Sequence, residues 1–276
     1  VIDPRTKLTV IHDDNGVFVD HTQNAADYLR DTFDIELIAA EDYLYVGFDK
    51  PFGAIYTHVT VANTNASVFA AEVWDGAAWV AVELTDESNG LARSGFMFWD
   101  KTGMNSTDVN GQTKYWIRFR PDVDHSATTV RGINLIFADD AMLKSEFFEI
   151  DNSNLLPPGE TSHLVHHVSA RNNIVQHLRN QGYKITDADG NKRPADQWDL
   201  IDVFEIRQAS VFLTLAKIFF NLSDGDDHWW LKYREYAAKH KRIMEGLTEL
   251  SFDANDDGVD DNNEVQARKK VQRWRR

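Results

Sequence analysis

The stretch "EVWDGAAWVAVE", Glu72 to Glu83, sets the reading of the first half of the chain. Apolar and polar residues alternate on both sides of Asp75-Gly76, a dipeptide suited to turn positions with φ > 0, and Trp74 and Trp79 stand on the flanking arms. The stretch predicts a β-hairpin. Outward from it lie "YLYVGFD" (43–49), "AIYTHVTVA" (54–62), "VFAAEVWDG" (68–76), "AAWVAVEL" (77–84), "GFMFWD" (95–100), "KYWIRFRP" (114–121) and "GINLIFA" (132–138). Each is short and rich in β-branched or aromatic residues, and turn clusters such as "NTNAS", "DESNG" and "DVNGQT" separate them. Strands at that spacing predict an antiparallel β-sandwich over residues 1–156.

The pattern changes after "EIDNSNLLPPGETS", because Pro157-Pro158-Gly159 continues neither a strand nor a helix. The border is placed there, with a helical bundle over 157–264. Thr161 or Ser162 is suited to cap a first helix carrying Leu164, Val168, Val175 and Leu178 and ending before Gly182. A second helix is expected from Asp196, as its cap, to Leu222, with Trp198, Ile201, Phe204, Val211, Leu215 and Phe219 at helical spacing. The width of its apolar surface makes it the central helix. A third is expected over 226–250, with Trp230, Tyr233, Ala237, Met244 and Leu247 along one side, and a last short helix from Asn262. The fold class is therefore α+β in two domains.

Composition narrows the chemistry. The 276 residues carry 42% apolar side chains, enough for real cores, and no cysteine. Thiolate nucleophiles, disulfides and cysteine zinc sites are excluded. No run reaches the about eighteen apolar residues of a spanning helix, and "VIDPRTKLTV" has no leader-like pattern, so a soluble, unsecreted protein with no membrane partner is expected. The net charge of −15 is uneven: residues 1–158 hold 11 of the 29 basic and 25 of the 44 acidic side chains. Residues 265–276, "VQARKKVQRWRR", hold six basic residues and no acidic one. This tail reads as a contact arm, with Gln266, Arg268, Lys269, Lys270, Arg273, Trp274, Arg275 and Arg276 as partner-binding residues. Such residues serve a nucleic-acid backbone or a protein interface equally well.

"SFDANDDGVDDNNE" (251–264) fits the twelve-residue calcium loop. Asp253, Asn255 and Asp257 fall at positions one, three and five, the Val259 carbonyl at seven, Asp261 at nine and Glu264 at twelve, while Gly258 allows the sharp turn. Position eight, apolar in paired loops of this kind, is Asp260, and no second loop exists. The expected cofactor is a structural Ca2+ rather than a switching one, against the plainer reading of an empty acidic turn.

Other constellations are weaker. His163, His166 and His167 share a helix without a carboxylate at matching spacing, and His58, His125 and His240 stand alone. The acid pairs Asp13-Asp14 and Asp139-Asp140 read as turns. Trp74, Trp79, Trp99 and Trp116 make either a sandwich core or a sugar-stacking platform, core packing being the default. No nucleophile elbow or phosphate loop is present, so no enzyme is expected.

The run from "DLIDVFEIRQASVFLTLAKIFFNLSD" through "WWLKYREY" to the acidic loop and basic end resembles the head-to-tail adaptors of tailed bacteriophage necks, also called connector or head-completion proteins. The β half, from "AAEVWDGAAWVAVELTDESNGLARSGFMFWD" to "KYWIRFRP", looks like the galactose-binding-type (jelly-roll) domains that recur in phage structural proteins. The resemblance implies a non-enzymatic virion protein made in the host cytoplasm: a ring, twelve-fold in the family, beneath the portal. It would contact neighbouring neck or tail proteins and continue the DNA channel without sequence-specific binding. Gln266 to Arg276 match the segment that reaches into portal grooves. The alternative is a calcium-dependent carbohydrate-binding module with a dockerin-like end, although dockerins carry two such loops. A glycoside-acting enzyme is the weakest reading.

Overall fold

The computed structural model describes residues 8–26, 31–186, 192–200, 204–223, 227–247, 249–251 and 265–267. The chain is α+β and divides into two compact units, the first running through Leu135 and the second beginning at Ile136. No described helix is long and apolar enough to cross a membrane.

The first unit contains strands β1 (Thr9–Asp14), β2 (Val17–Asp20), β3 (Phe33–Ile35), β4 (Tyr43–Phe48), β5 (Ala54–Val61) and β6 (Phe69–Trp74). They are followed by β7 (Trp79–Val82), β8 (Leu84–Asp86), β9 (Gly95–Trp99), β10 (Ser106–Val109), β11 (Gln112–Pro121) and β12 (Thr128–Asn134), with one helical turn, α1 (Thr22–Ala25). One sheet has the order β2-β1-β4-β11-β6-β7, with β10 also paired to β11, and the other the order β3-β12-β5-β9-β8. Pairing is antiparallel. Because β4 and β6 lie either side of β11, the order cannot arise from hairpins alone and depends on contacts distant in sequence. Ile117 and Phe119 of β11 are fully buried beside Leu44 and Val46 of β4 and Ala71 and Val73 of β6. Trp99 of β9 meets Phe119 at 6.0 Å and Phe52 at 5.2 Å, joining residues of the two sheets. Each such side chain contributes about 1.5–3 kcal/mol by leaving water.

Several elements depart from the sequence reading. The hairpin β1–β2 turns at Asn15-Gly16, with φ of 47° and 87°, and β10–β11 turns at Asn110-Gly111, with φ of 50° and 75°. Both are Asn-Gly turns with two positive φ values, the geometry that matches strand twist. At Asp75-Gly76 only Gly76 has positive φ; Asp75 instead accepts the amides of Ala77 and Ala78, closing a wider loop between paired Trp74 and Trp79. The expected strand 132–138 is displaced to Thr128–Asn134, and the continuous burial of Leu135, Ile136, Phe137 and Ala138 explains why that run looked like a strand.

The second unit contains α2 (Asp140–Glu146), α3 (Leu164–Gln181), α4 (Phe204–Leu222) and α5 (Asp227–Gly246), with the small pairs β13 (Lys184–Thr186)–β14 (Lys192–Pro194) and β15 (Glu249–Ser251)–β16 (Val265–Ala267). Ala138, Leu143, Ile150 and Leu155 share a core with Phe212, Leu215, Ile218 and Phe219 of α4 and Tyr236 of α5. The segment before Pro157 thus packs with the helices, and the compact units divide ahead of the Pro157-Pro158-Gly159 turn at which the sequence reading set its border.

Ser162 accepts the Leu164 amide at the start of α3, and Gly182, with φ of 89°, ends it. Asp196 caps not a long helix but the 3-10 turn Gln197–Asp199, so buried Trp198 precedes α4, whose apolar face is as wide as expected. On α5 the expected line holds at Tyr233, Ala237 and Met244 and fails at Trp230. Trp229 stacks on Phe219 at 5.4 Å and Tyr236 is buried, whereas Trp230 is 42% exposed. The helix ends at Gly246, and where a last helix was expected Val265–Ala267 is a strand paired with Glu249–Ser251.

His125, on the segment before β12, is 4% exposed and lies 5.1 Å from Phe69, with neither ring nitrogen hydrogen-bonded. Burial holds its pKa down at about 4, against weaker opposing effects of Asp122 and Asp86. The unfolded chain therefore takes up this proton first, and stability present above pH 6.5 is lost as pH falls towards 4. Thermal and urea melts at pH 7 and 4.5 should show the wild type losing on the order of 2 kcal/mol more than His125→Phe.

Candidate functional site

The loop ligands Asp253, Asn255, Asp257, Val259, Asp261 and Glu264 lie outside the described residues, as do Arg268, Lys269, Lys270, Arg273, Trp274, Arg275 and Arg276. Gln266 is in β16, opposite Leu250. The acidic segment is thus bracketed by two paired strands rather than by two helices.

The three histidines at the start of α3 diverge, and no group of three or more His, Asp or Glu suited to a metal ion occurs among the described residues. Nε2 of His163 donates to the Ile150 carbonyl at 3.1 Å, His166 pairs with the Asn221 amide at 3.0 Å, and Nε2 of His167 donates to Asp140 at 3.0 Å. Asp140 also accepts the His163 backbone amide. It is the carboxylate partner that spacing on α3 did not offer, supplied instead by α2. Burial raises its pKa, but the His167 hydrogen bond and charge, with Ser162 and His163, outweigh burial and bring it down to about 2. The other acid pairs are local fasteners: Asp139 caps α2 through the Met142 amide, and Asp13 accepts the Gly16 amide. His58 meets Ser94 and His240 meets the Ala209 carbonyl. These groups hold the fold.

A more distinctive arrangement lies on the seven-stranded sheet. Along β11 the residues alternate, with Ile117, Phe119 and Pro121 buried on one side and Trp116, Arg118 and Arg120 on the other. The register sets Arg118 opposite Tyr45 on β4 and Glu72 on β6. Its guanidinium stands 4.3 Å from the Tyr43 ring centre and 4.4 Å from that of Trp79, and it pairs with Glu72 at 2.7 Å. Tyr45 meets Trp79 and Trp116 edge-on at 5.7 and 6.2 Å, and burial raises its phenol pKa. Trp116 is fully buried: its indole donates to the carbonyls of Thr107 and Gln112, and its ring lies on Gly47. Half-buried Trp74 and Trp79 remain at the surface of this layer, 5.8 Å apart.

Of the four expected tryptophans, Trp99 and Trp116 are packed away, and only Trp74 and Trp79 offer ring surface. Sequence reasoning missed Tyr43, Glu72 and Arg118, although the period-two pattern of "KYWIRFRP" already puts Trp116, Arg118 and Arg120 on one face. A planar cation fixed between two rings gives a rigid surface suited to stacking.

No family model matches this chain, and no curated protein matches it. A family 89 glycoside hydrolase from Clostridium perfringens, in complex with 2-acetamido-1,2-dideoxynojirmycin, is 11% identical over 63% of this chain and 19% of its own, with a TM-score of 0.23. The same enzyme with its substrate GlcNAc-alpha-1,4-galactose gives 11% and 0.22 over the same shares. This chain spans 19% of that enzyme's length, and likeness at these TM-scores carries no weight for fold or function.

A Cβ at position 47 would lie 2.4 Å from Trp116. Gly47→Ala is expected to lower unfolding free energy in urea by about 1–3 kcal/mol, and adding Trp116→Leu should recover part of the loss.

Proposed function

We propose that this chain is a structural, non-enzymatic adaptor of a tailed-phage neck. Its first unit is a jelly-roll-like β-sandwich and its second a helical bundle that assembles into a ring between portal and tail. The observation that supports assembly best is the uncovered ledge of α4 and α5. Phe220, Trp230 and Leu231 are 54%, 42% and 62% exposed, and the Tyr233 ring joins the first two at 5.2 and 5.0 Å. Exposed aromatic and aliphatic side chains of this kind are what subunit contacts cover. The basic stretch 268–276 is the proposed portal anchor, and the acidic loop 253–264 a structural calcium site that orients it. A channel wall drawn from the acidic surface would pass DNA without retaining it, because phosphate contacts need basic residues. The localisation that follows is the virion neck.

A second reading, a carbohydrate-binding module, is favoured by the Tyr43–Arg118–Trp79 layer with Trp74 beside it. Electron microscopy and mass photometry at micromolar concentration distinguish the two. Rings are expected from the wild type, and Leu231→Asp should raise the concentration needed for assembly at least tenfold. A wild type that stays monomeric and binds sugars on a glycan array, with binding lost in Trp79→Ala, would replace the adaptor reading. Because Val265–Ala267 pairs with β15, truncation after Ala267 tests the anchor without removing a strand. Portal capture should be lost while the melting temperature holds.

A further inference from the structure

The helices of the second unit line an open pocket of about 550 Å³ among α3, α4 and α5. Leu213, Ala216 and Phe220 of α4 and Ala237 of α5 form its apolar wall. The polar groups that reach it are His166 and Ser169 from α3, Lys217 and Asn221 from α4, and Tyr233 and His240 from α5. None is a carboxylate. In a chain of net charge −15 the lining of this cavity holds one ammonium and no acid among the described residues.

Two of these groups are left wanting. Lys217 is half-buried, with no carboxylate within ion-pair distance among the described residues. Desolvation alone lowers its pKa, and no neighbouring acid offsets it. His166 accepts the Asn221 amide at Nε2, which puts its proton on Nδ1, and that buried nitrogen has no partner. The charge of Lys217 acts on both His166 and His240, so the ammonium stands near the two imidazoles. Nδ1 of His240 is already spent on the Ala209 carbonyl at 2.9 Å. The charge left without a counter-ion is thus the Lys217 ammonium, set beside an apolar wall in a pocket of the size that takes a small ligand.

We propose that this pocket binds a single carboxylate carried on an apolar stem, with the carboxylate against Lys217 and the stem along Leu213, Ala216 and Phe220. A lone ammonium balances a monoanion, whereas a phosphate dianion would keep an uncompensated charge in the same apolar surroundings. The carboxylate can belong to a free organic acid or to an acidic side chain of a second copy. Both present the same chemistry.

Octanoate is a suitable probe and octanol its uncharged match, with binding followed by calorimetry at pH 7 on the full chain. Wild type should bind octanoate saturably and at least tenfold more tightly than octanol. Lys217→Met, which keeps the stem and removes the charge, should lose that tenfold preference, and Lys217→Arg should keep it. Circular dichroism on each variant separates lost binding from lost folding. Mass photometry with octanoate present identifies the source: oligomers that dissociate assign the carboxylate to a neighbouring copy, and oligomers that persist assign it to a free acid. No saturable octanoate binding, equal binding of octanol, or full octanoate binding by folded Lys217→Met would overturn the proposal.

Discussion

Strand β11 carries the constraint on which the β unit depends. Ten residues long, it pairs with β4 on one side and with β6 on the other, and β10 folds back onto its first half. Period-two alternation then leaves no freedom: once Ile117 and Phe119 point into the core, Trp116 and Arg118 must point out. A slip of one residue would bury the guanidinium and expose two fully buried apolar side chains. The outer layer of Tyr43, Tyr45, Trp79 and Trp116 packs around Arg118 on its own account, so both faces of the strand reject that slip.

The helical unit uses a different kind of fastening. Its core is the contact of α4 and α5 through Phe212, Phe219 and Tyr236, completed by residues of α2 and of the segment leading to Pro157. Asp140 then ties α2 to the start of α3 by accepting from the His163 amide and the His167 ring. A polar tie between two elements of different sequence origin fixes how they meet, which apolar packing alone does loosely.

Much of this was legible in the sequence because it rests on local pattern. Six of the expected strands and three helices appear where periodicity places them, and Gly182 ends α3 as read. What sequence did not yield depends on partners far along the chain. Strand β12 begins with polar Thr128 and Thr129 and carries register shifts, so alternation is blurred there. The buried face of α5 is set by where the Phe219 ring stands, and a helix read by itself cannot distinguish Trp229 from Trp230. Similarly, Arg118 is one arginine among several until β4 and β6 bring Tyr43, Trp79 and Glu72 around it. The cavity of the helical unit was invisible for the same reason, since Lys217, His166 and His240 come from three helices.

The pairing of β15 with β16 has a consequence for the acidic segment between them. Ser251 and Val265 are partners in register, so the two ends of that segment are held about 5 Å apart. Bringing the two ends of a stretch of chain together is an entropic cost that grows as the logarithm of its length. Here the pairing of Glu249–Ser251 with Val265–Ala267 meets that cost as part of the fold itself.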